Sequence, residues 1–199
     1  MSDYAVSLLT RMLEIYSPSG REEEISSFLA REMGSLGFRV RKDDVGNVIG
    51  ETGVGEPVVM LCGHMDTVED FIPVRVEDNR LYGRGAVDAK ASLAAMIVAA
   101  SNFVRKGFPG KILVVGVVDE EGGGRGIKHL VEGGISPDYA IFGEPSGVEK
   151  IIFGYKGILD LKITCEVPTG HSASPWLFDN AIEKAMELWR QIRRLHLPE

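Results

Sequence analysis

The sequence predicts an α/β fold: a mixed, mostly parallel sheet flanked by helices, followed by the start of a second, α+β unit. Three observations predict it. Strand-like apolar runs alternate with helical periodicity between Pro57 and Phe142 in β-α-β-α-β order, the pattern of a sheet covered on both faces. The run Lys111–Val118 is rich in β-branched residues and does not alternate, as expected of a central strand buried on both sides. Four successive segments, PVVMLCGHMDTV, LYGRGAVDAKASLAAM, KILVVGVVDEEGGGRG and YAIFGEPSG, each carry an acid or an imidazole where an apolar run meets a glycine-rich turn. Open α/β sheets place their chemistry in such loops, beyond the carboxyl ends of the strands.

Residues 3–16 and 21–36 have amphipathic helical periodicity, separated by the turn-forming Ser17-Pro18-Ser19-Gly20, and Gly37 ends the second helix. Phe38–Lys42 and Asn47–Glu51 read as short strands joined by a polar turn, and Pro57–Cys62 as an apolar strand. Val74–Tyr82 reads as a hairpin turning at Asp78-Asn79. A helix begins at Asp88 or Ala89 and runs to about Lys106. After the central strand come a helix near Arg125–Glu132 and a strand at Asp138–Phe142. These elements make one domain over residues 1–152. From 153 to 199 the character changes. Lys150–Tyr155 and Gly157–Val167 alternate as strands do, and a helix follows at about Phe178–Leu195. One βα element cannot bury both faces of a sheet, so this second unit is expected to be incomplete.

The 199 residues are 44% hydrophobic and 26% charged, enough for one packed core and part of another domain. A net charge of −7 with no offsetting basic stripe argues against a nucleic-acid binder. Cys62 and Cys165 have no partner at motif spacing and read as buried thiols of a reducing compartment. Asp3, Arg11 and Glu14 interrupt any signal-like apolar stretch in the first helix. The apolar helix from 89 to 104 carries Lys90, Ser92, Ser101 and Asn102, too polar and too short for a bilayer. A cytoplasmic protein without membrane contact is the expectation.

The site candidates each have an ordinary reading and a chemical one. His64 and Asp66 flank Met65, and alternation lets both side chains face one place. The imidazole would ligate a metal, with Asp66 bracing its other ring nitrogen; otherwise they are a polar pair at a strand end. Asp88 sits where a helix N-cap belongs, yet a carboxylate there has an oxygen for each of two metals. Glu120 and Glu121, preceded by Asp119, form an acidic turn whose charges repel unless cations neutralise them. Neighbouring glutamates can divide labour, one binding metal and one acting as general base. Glu144, before Pro145, completes the acidic set. His171, in PTGHSASP, is either a loop histidine beside the possible helix caps Ser172 and Ser174 or a donor to a developing oxyanion. His129 and His196 sit on predicted helices without acidic turn neighbours and read as surface or packing residues.

The motifs GHMDTV, GRGAVDAKASLAAM, DEEGG, GEPSG and GHSASP together resemble the co-catalytic di-zinc aminoacylase and carboxypeptidase family, which includes acetylornithine deacetylase and succinyl-diaminopimelate desuccinylase. The resemblance covers essentially the whole chain and implies a zinc-exopeptidase-like catalytic domain with a lid or dimerisation domain. It implies two Zn2+, with Co2+ or Mn2+ as chemically acceptable substitutes. His64, Asp88 and Glu144 would hold the first metal, and Asp88 and Glu121 would contribute to the second. Glu120 would be the general base, Asp66 would orient His64, and His171 would stabilise the transition state from the lid, typically across a homodimer interface.

VDAKASLAAM with GEPSG and the later GYKG is most similar to the lysine-biosynthesis deacylases of that family. These release lysine or ornithine from an Nα-blocked form, the block being an acetyl group or the terminal glutamate of a small amino-group carrier protein. The family's final metal histidine comes from a region this chain does not include, so the resemblance implies a second site short of one ligand and an unpaired sheet edge. A non-catalytic fragment or half of a split enzyme is the reading of another class, and a dipeptidase the alternative within the class. The GGGRG turn lacks the lysine–serine pair of a phosphate loop and follows two acids that would repel phosphate.

Overall fold

The computed structural model describes residues 2–155, 157, 161–171, 173 and 175–195, which fall into two units dividing between Ile151 and Ile152.

In the first unit, α1 (Ser2–Glu14) and α2 (Glu23–Ser35) bury Leu8 and Met12 from one helix and Ile25, Phe28, Leu29 and Met33 from the other. These i, i+3, i+4 and i+8 spacings make a single apolar stripe. Helix α2 stops as the sequence predicts. Gly37 adopts φ +92°, and the amides of Gly37 and Phe38 donate to the carbonyls of Gly34 and Met33, closing the end with a left-handed glycine cap. Strands β1 (Arg39–Lys42) and β2 (Val48–Gly53) flank a turn organised by Asp43, whose Oδ1 accepts from the amides of Val45, Gly46 and Asn47. There follow β3 (Val58–His64), β4 (Arg75–Glu77) and β5 (Arg80–Tyr82). The β4–β5 hairpin turns on Asp78 and Asn79, both at positive φ, the conformation a two-residue hairpin needs. Helix α3 (Lys90–Lys106), β6 (Lys111–Val117), α4 (Arg125–Glu132) and β7 (Tyr139–Phe142) complete the unit.

The main sheet has the order β1-β2-β6-β3-β7. Strand β3 is parallel to β6 and β7, whereas β2 is antiparallel to β1 and β6. The sheet is mixed as expected: two of its four pairings are parallel, and four of its five strands run the same way, β2 alone being reversed. The connections explain the split: α3 and α4 are crossovers, while the short Asp43–Asn47 turn can only return antiparallel. Strand β6 is central, as its composition predicts. Its Ile112 and Val114 join the core formed with α1, α2 and α3, and Leu113, Val115 and Val117 join the opposite core beneath Leu130 of α4. Burying each of these side chains contributes roughly 1.5–3 kcal/mol. Strand β7 is an edge strand with every residue exposed.

In the second unit, the strands expected over 150–155 and 157–167 are absent among the described residues. Alternation is a local signal, but a strand needs a partner backbone, and these runs are exposed along nearly all their described length. A 3-10 turn at Pro175–Leu177 precedes α5 (Ala181–Ile192). The helix starts later than expected because Asn180 is its cap, its Oδ1 accepting from the amides of Ile182 and Glu183. The caps considered from sequence, Ser172 and Ser174, lie outside the described residues, as does His196. No residue of α5 is buried. Both cysteines are free; Cys62 is buried as expected, but Cys165 only partly so.

Candidate metal centre

Three parallel strands deliver the acidic and imidazole groups to one edge of the sheet. His64 is the last residue of β3 and pairs in register with Val117 of β6. Glu120 and Glu121 follow β6, and Glu144 follows β7 by two residues. Asp88 arrives from the other direction, just before α3. It does not cap that helix: the N-cap is Ala89, and no side chain bonds there. Glycines allow the close approach, since a Cβ on Gly63 would lie 3.0 Å from Met96 Cε and 3.4 Å from Leu93 Cβ.

His64 is fully buried. Its Nδ1 donates to the Asp66 main-chain carbonyl at 2.9 Å, and its Nε2 lies 3.0 Å from Asp88 Oδ1 and 4.0 Å from Glu120 Oε2. Burial alone would lower the imidazole pKa, but the bonds to Asp66 and Asp88 outweigh it and raise the pKa to about 10. His64, Asp88 and Glu121 each offer a ligand atom within 4.8 Å of the others. Atoms bound tetrahedrally to one zinc ion at about 2.0–2.2 Å lie about 3.3–3.6 Å apart, so the exposed Asp88 and Glu121 side chains would close in by rotamer adjustment to hold it.

Glu144 stands outside this trio. With Cys62, His64, Val117 and Glu120 it lines a small cavity of about 120 Å3. Its pKa is raised, first by burial and then by the charges of Glu120, Asp88 and Glu121, with His64 opposing. Glu121 is shifted upward too, by burial and then Asp88. One imidazole among carboxylates that disfavour each other's ionisation is a donor set that fits a divalent cation.

Asp66 has a role that the motif does not reveal. The ring of His64 is held by the main-chain carbonyl of Asp66, while the carboxylate, 3.6 Å from Nδ1, reaches elsewhere. Its two oxygens accept from the amides of Glu120 and Glu121, each at 3.1 Å, and from Ser19 Oγ at 2.7 Å. Burial works against ionisation of Asp66, yet the neighbouring His64 ring and these bonds hold its pKa below the usual carboxylate value. Asp66 therefore fixes the turn that presents both glutamates.

Other supports are invisible in the motifs. Glu22 Oε1 accepts from the amides of Gly20 and Asp119. Asn47 is buried, accepting from Val118 N and donating to Gly126 O. Lys90 is 1% exposed, and its Nζ donates to the carbonyls of Met12 and Ile15, both at 2.9 Å. Burial lowers its pKa to about 8, with Asp66 opposing. Thr67 Oγ1 is buried without a partner. In the second unit His171 is exposed, and its Nδ1 accepts from the amide of Ala173 at 3.1 Å.

Beside the centre opens a cleft of about 860 Å3, lined by Thr67, Arg75, Arg80, Arg84, Asp88 and Glu121 among others. Among the described residues, no helix is long and apolar enough to cross a membrane.

Residues 60–196 match the model of peptidase family M20/M25/M40. A Sulfurisphaera tokodaii protein named LysW-lysine/LysW-ornithine hydrolase is 37% identical over 186 residues, covering 92% of this chain and 52% of the relative. A Pyrococcus furiosus protein, provisionally given the same name, is 41% identical over 189 residues, covering 95% and 55%. The chain thus spans about half the length of these relatives. Among solved structures, a Staphylococcus aureus tripeptidase superposes with a TM-score of 0.74 at 23% identity, covering 99% of this chain and 57% of that one. Aminopeptidase PepT of Bacillus cereus gives 0.70 at 22%, with the same coverage. At these identities the structural likeness speaks for the fold.

Proposed function

The chain belongs to peptidase family M20/M25/M40, and from that premise we propose that it is the metal-binding part of an amide hydrolase. The enzyme would release lysine or ornithine from an Nα-blocked form in lysine or arginine biosynthesis. The convergence of His64, Asp88 and Glu121 beside Glu120 carries the reading. The names of the relatives from Sulfurisphaera tokodaii and Pyrococcus furiosus support a carrier-linked amino acid as substrate over a simple acetyl derivative.

Two zinc ions are the proposed cofactor, held by His64, Asp88, Glu121 and Glu144. When bound, they supply Lewis acidity toward the amide carbonyl and lower the pKa of water. Glu120, its side chain half exposed, lies 4.0 Å from His64 and lines the small cavity shared with Glu144; it takes the proton of the attacking water and returns it to the leaving amine. Asp66 positions Glu120 and Glu121 by holding both amides. His171 is proposed as a donor to the oxyanion, with residues from Ile152 onward forming part of a lid through which the enzyme dimerises. A cytoplasmic location follows from the biosynthetic role.

The test is elemental analysis after zinc loading and desalting, alongside hydrolysis of an Nα-(γ-glutamyl)-lysine substrate by wild type and Glu120→Gln. Zinc retained in both, with turnover lost by several orders of magnitude in the variant, is the expected result. Near-wild-type turnover in Glu120→Gln overturns the general-base role, and a chain that takes up no zinc overturns the metal-centre reading.

A further inference from the structure

Three arginines line the cleft beside the metal centre, in a chain of net charge −7. Their guanidinium groups are only partly used. Arg84 Nε donates to the main-chain carbonyl of Asp70 at 2.8 Å. Arg75 lies over the ring of Tyr82, 4.2 Å from its centroid, and reaches Glu77 only at 3.4 Å. Arg80 has no hydrogen-bond or ion-pair partner among the described residues. The β4–β5 hairpin carrying Arg75 and Arg80 is fixed by its two-residue turn, so the two forks project from a defined ribbon. Thr67 Oγ1, buried and unpartnered, belongs to the same lining. Free planar donors and a spare hydroxyl in one concavity match a carboxylate. Asp88 and Glu121, in the same cleft, would repel that anion unless a cation neutralised them.

Resting on the hydrolase reading above, we propose that Arg80 and Arg75 seat a carboxylate on the acyl side of the substrate. An amide made through the side-chain carboxyl of a terminal glutamate leaves that residue's α-carboxylate free, a few bonds from the scissile carbonyl. An acetyl group carries neither charge nor bulk to use the cleft. The hairpin thus selects an acidic acyl group. The amino acid released also bears a carboxylate, so the experiment separates the two sources.

The zinc-loaded chain is titrated by calorimetry with a short peptide ending in glutamate, with the same peptide as its terminal α-amide, and with lysine. Wild type, Arg80→Ala and Arg75→Ala/Arg80→Ala are compared. The peptide is expected to bind wild type and to weaken about 10–100-fold in the double variant, the range for hydrogen bonds to a charged group. Amidation should weaken wild type comparably and the double variant no further, and lysine binding should not change. The amide comparison in wild type needs no variant, and the thermal midpoint of each variant reports its fold. The proposal is overturned if wild type does not bind the peptide, if amidation is without effect, or if the variants lose lysine instead. If the peptide follows the expected pattern while hydrolysis fails, the anion seat stands and the hydrolase reading falls.

Discussion

His64 Nε2 and Asp88 Oδ1 lie 3.0 Å apart, although one ends a strand and the other precedes the helix that crosses back over the sheet. This contact is a hydrogen bond from the imidazole to the carboxylate, and a bound cation would take the place of the shared proton. His64→Gln and Asp88→Asn should each abolish stoichiometric zinc retention after desalting. Because Asp88 is half exposed, Asp88→Asn should keep the wild-type denaturation midpoint, whereas the buried His64→Gln should lower it. Retention of full zinc by either variant would remove that residue from the ligand set.

Asp66→Asn replaces a carboxylate that accepts three hydrogen bonds by a group with one acceptor oxygen and an NH2 facing donors. The fold should lose about 1–3 kcal/mol, read by urea denaturation. Zinc affinity should fall as well, because the Glu120–Glu121 turn is no longer held. A variant that loses stability but keeps zinc affinity would confine Asp66 to a structural role.

Gly143→Ala should be worse than Gly63→Ala. The Gly63 Cβ would press mainly on the flexible end of Met96, whereas a Gly143 Cβ would lie 2.8 Å from Ser92 Cβ, on the helix itself. Only the second forces the first turns of α3 to move, at a cost of about 1–3 kcal/mol. Equal denaturation midpoints for the two variants would contradict this.

Tyr4 Oη donates to Glu32 Oε2 at 3.0 Å, and burial, then that bond and the charge of Glu32, raise its pKa from 10.0 to about 12. Between those values the folded state keeps a proton that the unfolded chain has lost, so stability falls as pH rises through the window. Denaturation midpoints at pH 9 and pH 11.5 should differ more in wild type than in Tyr4→Phe.

Much of the first unit was legible because its signals are local. Arg125–Glu132 is read from periodicity and matches α4 residue for residue, and the Asp78-Asn79 turn follows from residue type alone. The central placement of β6 follows from its lack of alternation. What escaped depends on tertiary register. Alternation suggested that Asp66 faces the site as His64 does, but β3 ends at His64, so the strand rule no longer governs Asp66 and its carboxylate turns to the amides after β6. That Glu121, not Glu144, joins His64 and Asp88 within 4.8 Å depends on how far each loop travels beyond its strand. Lys90 reads as an ordinary helix lysine, since nothing nearby in sequence shows that its acceptors lie more than seventy residues earlier. The strands expected beyond 150 failed for the opposite reason: the local pattern is present, but among the described residues no ladder forms.

That lysine makes the N-terminal helix a mechanical part of the centre. Its ammonium joins the carbonyls of Met12 and Ile15 to the first turn of α3, two residues after Asp88. Trimming α1 would strand a buried charge with no acceptors, and the helix bearing Asp88 would have to shift to let it reach water. Losses at the front of the chain should therefore register as weakened metal binding before the sheet itself gives way.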